Sequence, residues 1–238
     1  MRESSIVSLV AETQPSRSRM SVAHESDSDV SDPIGVIIRA APRWKRAIDI
    51  AGSLILILVL SPVFLFIALY IKAVSNGPVF FCQKRLGRGT TFFVIYKFRT
   101  MKIGEPEQLH SDYISALAAS NEPAKKPSYG SRLIPGGSLL RKLSLDELPQ
   151  LFNVLLGTMS LIGPRPDVLE LHRFKPWQIR RFEVLPGISG LWQVSGKNRL
   201  TFDQMVMLDI EYIDNLSLLQ DVKIIFKTCL IIASLNNE

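Results

Sequence analysis

From Ile50 to Ile71 the chain carries no charged residue, a run of about 22 that meets the length of a bilayer's hydrocarbon core. Core helices of that length rarely lack a polar stripe. Arg43, Trp44, Lys45 and Arg46 precede the run as a cationic and aromatic flank suited to lipid headgroups. The following flank is basic too, with Lys72, Lys84, Arg85, Arg88, Lys97, Arg99 and Lys102 and no acidic residue between 72 and 102. Basic flanks favour the cytoplasmic side, so both ends are expected on one face of the membrane. A straight helix cannot meet that condition, whereas one broken near its middle can. Ser61-Pro62 stands at the middle. Proline removes a backbone donor and kinks a helix, and a neighbouring serine hydroxyl can satisfy the carbonyl thereby released. Each arm would be about 10 to 13 residues, roughly 15 to 20 Å, which is one leaflet deep. The sequence therefore predicts a re-entrant membrane hairpin over residues 43–72, with an ordinary kinked span as the alternative.

The remainder of the 238 residues suffices for one domain of ordinary size. The chain is 47% hydrophobic yet carries 28 Lys and Arg against 22 Asp and Glu, a net charge of +6. A seat at an anionic membrane surface accounts for both properties; a nucleic-acid module accounts only for the charge and lacks a recognisable binding motif. Residues 1–42 are rich in serine and without apolar periodicity, and are expected to form a disordered arm with no signal-peptide pattern. Cys82 and Cys229 are far apart, and His24, His110 and His172 are scattered, so neither a zinc site nor a Ser/His/Asp triad has support. Catalysis by this chain would fall to carboxylates and basic residues.

Residues 73–238 are expected to form a cytosolic catalytic domain. Pro78–Phe81 and Thr91–Tyr96, separated by Gly87-Arg88-Gly89, predict a β-hairpin. A short helix is expected near Gln108 to Ala119. Leu148, Leu151, Phe152, Leu155 and Leu156 recur at helical spacing and stop at Gly157. Thr201 and Gln204 form a capping-box pattern that opens a helix at about 202–214. From Val222 to Leu235 the chain is apolar with Lys223 and Lys227 on one side, the pattern of an interfacial helix or of one packed on the domain.

Two adjacent carboxylates, Asp146 and Glu147, follow the basic pair Arg141 and Lys142. Ser144 and Glu147 have capping-box spacing, which would make the acids structural. Pro149 fits a helix start nearer Asp146 better, since proline prefers the first turn. In either register Asp146 would lie where free backbone N–H groups favour a phosphate. In Ser160-Leu161-Ile162-Gly163-Pro164-Arg165-Pro166, two prolines stiffen the backbone around Arg165, so its guanidinium is held for bidentate phosphate recognition or forms a rigid, solvated turn. Lys97 and Arg99 alternate along Tyr96–Met101 and are expected on one strand face, catalytic or merely solvated. The stretch Pro186–Gly196 is glycine-rich but lacks the P-loop pattern.

The order KRAIDI, an apolar run with Ser-Pro at its centre, GPVFF, QKRLGR, YKFRTM, RKLSLDELPQLFNVL, MSLIGPRP, PGISGLWQVSG and DVKIIFKT resembles the bacterial sugar transferase family of monotopic phosphoglycosyl transferases, over about residues 43 to 232. The resemblance implies an α/β (α+β) fold: a mostly helical small catalytic domain with a short β-hairpin, anchored by the re-entrant helix-break-helix at Ser61-Pro62. It implies a catalytic pair, Asp146 and Glu147, with Glu147 as a Mg²⁺ ligand, phosphate-binding roles for Arg141 and Arg165, and a basic contribution from Lys97 and Arg99. The implied partners are a UDP-sugar, polyprenyl (undecaprenyl) phosphate and membrane lipids, at the inner membrane with the catalytic domain facing the cytoplasm; homo-oligomerisation is left open. The implied route has Asp146, ionised at neutral pH like an ordinary carboxylate, attack the sugar-bearing phosphorus and release UMP. One departure stands out: family members often carry D-x-R-x-T upstream of the acid pair, and here Gly130 and Ile134 flank Arg132 instead. The rival reading is a catalytically inactive membrane scaffold of a glycan assembly complex, which the intact Asp146, Glu147, Arg141 and Arg165 argue against.

Overall fold

The first two helices, α1 (Arg43–Val59) and α2 (Ser61–Val74), meet at a bend of 61°. Pro62 has no N–H to give to the carbonyl of Leu58, four residues back. The hydroxyl of Ser61 donates to that carbonyl instead, at 2.8 Å. The break is thus built from the two residues at which the sequence predicts it. Neither helix alone is long and apolar enough to cross a membrane, although the bent pair is so in length and composition. Leu54, Ile55, Leu58, Val59, Leu65, Phe66 and Leu69 are exposed, so the apolar run is not a buried core helix. This computed structural model describes residues 36–104, 108–123, 130–196 and 199–234. The predicted arm over 1–42 therefore falls mostly outside the described residues. Its last part lies along the domain, where Arg39 pairs with Glu183 at 2.7 Å and Asp214 at 3.1 Å.

After α2 the chain forms the predicted hairpin, with β1 (Phe80–Leu86) antiparallel to β2 (Phe92–Phe98) and Phe81 opposite Lys97. Both strands are longer than the sequence runs suggest, because the polar Gln83, Lys84 and Arg85 pair across the ladder as readily as the apolar residues around them. Phe98 joins the hairpin to the bent helix pair by packing 5.5 Å from the rings of both Phe64 and Phe80. Next come α3 (Gln108–Ser120), α4 (Gly137–Lys142) and α5 (Gln150–Leu156), the last ended by Gly157 at φ 83°, as its C-terminal glycine predicts. A short parallel pair follows, β3 (Ser160–Ile162) with β4 (Gly187–Ser189). Gly163 is required there, since a Cβ on it would lie 2.6 Å from the carbonyl oxygen of Leu185. The glycines of Gly163-Pro164-Arg165 and of Pro186-Gly187-Ile188-Ser189-Gly190 serve this close passage of two backbones. Then α6 (Phe202–Asp214) opens on the predicted capping box, in which Thr201 accepts from Gln204 N at 3.3 Å and Gln204 accepts from Thr201 N at 2.9 Å. The last helix is α7 (Leu218–Ala233). The architecture is mostly helical with two small sheets.

The start of α1 corrects the reading of its basic flank. Lys45 and Asp49 are buried, one turn apart on one face of the helix. Lys45 donates to the carbonyl of Ile162 and to Asp221, each at 2.8 Å; Asp49 accepts from Ser160 Oγ and Leu161 N, each at 2.9 Å. Tyr212 closes the network with a 2.7 Å bond to Asp221. Arg46 donates to the carbonyls of Val154 and Leu155 at 2.6 and 2.9 Å, completing the end of α5. These two cations hold the first helix to the domain, and Lys45 is buried there.

Candidate active site

Asp146 and Glu147 lie in a single 3-10 turn, Leu145–Glu147, between α4 and α5. Ser144 stands in the left-handed region at φ 55° and makes no capping hydrogen bond, and the α-helix begins only at Gln150, with Pro149 before it at φ −61°. The capping-box account of Ser144 and Glu147 therefore fails. Asp146 is likewise not in the first turn of an α-helix, so a helix terminus does not explain the pair. Both carboxylates are left for other work.

Glu147 is clamped. Lys97, projecting from β2, donates to its Oε1 at 2.8 Å; Arg165 donates through Nη2 to Oε1 at 2.6 Å and through Nη1 to Oε2 at 3.4 Å. Burial pushes the Glu147 carboxyl upward, but Arg165 and Lys97 outweigh it and hold the group well below the usual carboxylate range. The same contact raises Arg165 further, while burial lowers Lys97 against the pull of Glu147. Asp146 is different. It is 8% exposed and its carboxylate takes no hydrogen bond among the described residues. Burial is the main reason its pKa is pushed up to about 6; the charge of Glu147 adds to the rise, and Lys97, Arg141 and Arg165 oppose it. The ordinary carboxylate assumed from sequence is thus a desolvated one.

Of the four cations singled out in the sequence, three gather here: Lys97 and Arg165 on Glu147, and Arg141 near enough to act on Asp146. Arg99 does not join them. It follows the end of β2 and is buried, donating to the carbonyls of Asn76 at 2.8 Å and Ser75 at 3.1 Å, where it fixes the chain leaving α2. Its expected place beside Lys97 is lost because the strand stops at Phe98. Three residues behind Arg165 went unnoticed in the sequence: Asp167, Arg181 and Asp209, all buried. The run Gln178-Ile179-Arg180-Arg181 gives no local sign that its second arginine turns inward.

Among the described residues no group of three or more His, Cys, Asp or Glu side chains converges to hold a metal ion. The acid pair offers carboxylate oxygens, and among the described residues Glu147 Oε2 is engaged only by the long 3.4 Å contact. That donor set fits Mg²⁺, which is commonly bound by one or two carboxylates with substrate phosphates completing its shell.

A buried, desolvated carboxylate gains basicity and nucleophilicity, and the cations around it suit an anionic reactant. The chain belongs to the bacterial sugar transferase family, whose sequence model matches residues 40–234. It is similar to the exopolysaccharide production protein ExoY of Sinorhizobium fredii, 39% identical over 189 residues that cover 77% of this chain and 83% of that one. The undecaprenyl-phosphate galactose phosphotransferase of Salmonella typhimurium is 39% identical over 198 residues, 82% of this chain and 41% of that one. The undecaprenyl-phosphate glucose phosphotransferase of Komagataeibacter xylinus is 40% identical over 196 residues, 77% of this chain and 35% of that one. The chain thus spans less than half the length of these two phosphotransferases.

Proposed function

We propose that this protein transfers a hexose 1-phosphate from a UDP-sugar to polyprenyl phosphate, with Asp146 as the nucleophile. The observation that carries the reading is the contrast within the acid pair: Asp146 buried and, among the described residues, without a hydrogen bond on its carboxylate, Glu147 locked between Lys97 and Arg165. The names of the similar phosphotransferases, which specify undecaprenyl phosphate and a hexose, supply the substrate class.

In the first half-reaction a carboxylate oxygen of Asp146 bonds to the sugar-bearing phosphorus, the bridging P–O bond of the diphosphate breaks, and UMP leaves with that electron pair. In the second, a phosphate oxygen of the lipid bonds to the same phosphorus and the acyl-phosphate bond breaks. Asp146 is regenerated and the sugar ends on a polyprenyl diphosphate. No proton need be removed from Asp146 at neutral pH, because a pKa of about 6 leaves it mostly ionised. Arg165 and Lys97 balance the charge of Glu147 at rest and turn toward phosphate oxygens as these arrive. Glu147, with Asp146 beside it, would hold Mg²⁺, which supplies charge neutralisation on the diphosphate when bound. The bent pair α1 and α2 is read as a re-entrant anchor in the inner membrane, keeping the site at the cytoplasmic surface where the lipid phosphate lies.

The test is UMP release by the purified protein incubated with polyprenyl phosphate and each of UDP-glucose, UDP-galactose and the N-acetylated hexosamine analogues. Release with at least one donor, dependent on Asp146, is expected. No release with any donor would overturn the reading.

A further inference from the structure

We propose that Arg181 is a positioning residue for Arg165, acting through the main chain of the Gly163–Asp167 segment from a buried socket that Asp167 and Asp209 complete. The inference rests on Arg165 being a phosphate ligand of the proposed transfer reaction.

The geometry is specific. Arg181 is 4% exposed, and its Nη1 donates to Asp167 Oδ2 at 2.9 Å while its Nη2 donates to the carbonyl oxygen of Arg165 itself at 3.1 Å. Asp209, 1% exposed on α6, brings Oδ2 to 2.8 Å from the same Nη2, though off the donor axis, so neither of its oxygens has a hydrogen bond of good geometry. The rings of Phe174, Phe182 and Phe202 each lie 6.0 Å from the guanidinium carbon and wall the group off from water. Charges enclosed this way interact strongly, and the planar fork lets one arginine address two acceptors at once.

Other groups of the segment are held as well. Asp167 Oδ1 accepts from the backbone N–H groups of Val168 at 2.8 Å and Leu169 at 3.2 Å, and the Asp167 carbonyl accepts from Leu86 N at 3.0 Å. Gly163 N donates to Ser189 O at 2.9 Å, and Gly187 N donates to Pro164 O at 2.8 Å. The two prolines fix φ on either side of Arg165. Of the Arg165 peptide, the carbonyl is what Arg181 holds. Tilting that carbonyl would swing the Arg165 side chain, whose fork must meet Glu147 at rest and phosphate in the reaction. A structural ion pair alone would not need a bond to this carbonyl.

The experiment uses the full chain in nanodiscs with ¹⁵N-arginine, the Arg165 Nε–H signal being identified by its loss in Arg165→Lys. Arg181→Lys keeps the charge but cannot reach both Asp167 and the Arg165 carbonyl. It should shift or broaden the Arg165 signal while unfolding remains cooperative. With UDP as probe, Arg181→Lys should weaken binding about tenfold in the wild-type background and less than about twofold when Arg165 is already lysine, the non-additivity of residues acting as one unit. An unmoved Arg165 signal, or equal losses in both backgrounds, would overturn the proposal. If Arg181→Lys does not fold, Asp209→Asn, which keeps the shape of the socket, must shift the same signal; an unmoved signal there is also fatal. Failure of the wild type to bind UDP, with the signal still moving, would sink the substrate reading and leave the positioning role standing.

Discussion

Arg165 reaches Glu147 across 18 residues of sequence to donate a 2.6 Å bond, and Lys97 meets the same oxygen from the opposite direction, 50 residues away. Glu147 is therefore a fixed anion and its neighbour Asp146 an unfixed one. Two adjacent residues of the same chemical type have been given different environments, the arrangement by which one site assigns different tasks to two carboxylates.

The first prediction concerns stability and has opposite signs for the two acids. Asp146 has its folded pKa raised from 3.8 to about 6. As pH rises through that window the unfolded chain ionises first, so the native state loses stability and the full penalty is present above about pH 6. Asp146→Asn should then stabilise the fold at pH 7 by on the order of 1–3 kcal/mol, a gain that vanishes toward pH 4 and below. Glu147 is held well below its ordinary value, so its contribution is present above about pH 4.5 and lost as pH falls through the folded value. Glu147→Gln strands Lys97 and Arg165 and should destabilise by about 3–5 kcal/mol. Thermal unfolding of both variants at pH 7 checks the pair. A destabilised Asp146→Asn would contradict the assignment.

The second prediction is a pH profile. If the attacking group is the Asp146 carboxylate, kcat/KM should fall on the acid side with an apparent pKa near 6, about two units above an ordinary aspartate, and level off above pH 7. A limb near pH 4 would mean that a solvated carboxylate attacks.

The third prediction tests geometry rather than charge. Arg165→Lys retains the cation but not the fork that spans both oxygens of Glu147. Turnover should drop by about ten- to a hundredfold, with the larger share in kcat if phosphate is gripped mainly in the transition state. Arg99→Lys is the contrast. Its side chain fixes the carbonyls of Ser75 and Asn76, so its loss should lower the melting temperature more than it lowers kcat in the surviving protein.

Local features were legible in the sequence where the chain's own neighbours satisfy them. Ser61 answers the carbonyl freed by Pro62, Thr201 and Gln204 cap one another, and Gly157 ends α5, all within four residues. What escaped was pairing over distance. Adjoining an apolar run, Lys45 has the local pattern of a headgroup residue, yet its partners Ile162 and Asp221 lie 117 and 176 positions away. Ser144 and Glu147 have capping spacing, but Lys97 and Arg165 take the glutamate from outside the segment. The acid pair could be found from sequence because two carboxylates beside two cations are conspicuous. The socket of Arg181 could not, since nothing near it marks which arginine of Arg180-Arg181 is buried.

The fourth prediction concerns topology. With the free, exposed Cys82 and Cys229 replaced, a single cysteine placed ahead of Arg43 should resist a membrane-impermeant thiol reagent in intact cells, as should one in the catalytic domain. Labelling of the first position alone would indicate a full span. Pro62→Leu restores the donor for Leu58 and should straighten the 61° bend, converting a fraction of the chains to that full span.

The last prediction separates covalent from direct transfer, the step on which the roles of the two acids diverge. A UDP-sugar labelled in the sugar, mixed with protein in the absence of lipid, should leave label on a peptide containing Asp146 and release one UMP per active site. Adding polyprenyl phosphate should then discharge the label into lipid at the rate of turnover. Asp146→Asn cannot form an acyl phosphate and should show neither event, although the amide preserves the size of the side chain and, by the argument above, a stable fold. Glu147→Gln removes the anion that Lys97 and Arg165 are built around and weakens any Mg²⁺ site, so both trapping and release should slow together by orders of magnitude. Label that reaches lipid only when both substrates are present, with none at Asp146 even after millisecond quenching, would point instead to direct displacement by the lipid phosphate. In that case the burial of Asp146 would have to serve some purpose other than attack on phosphorus.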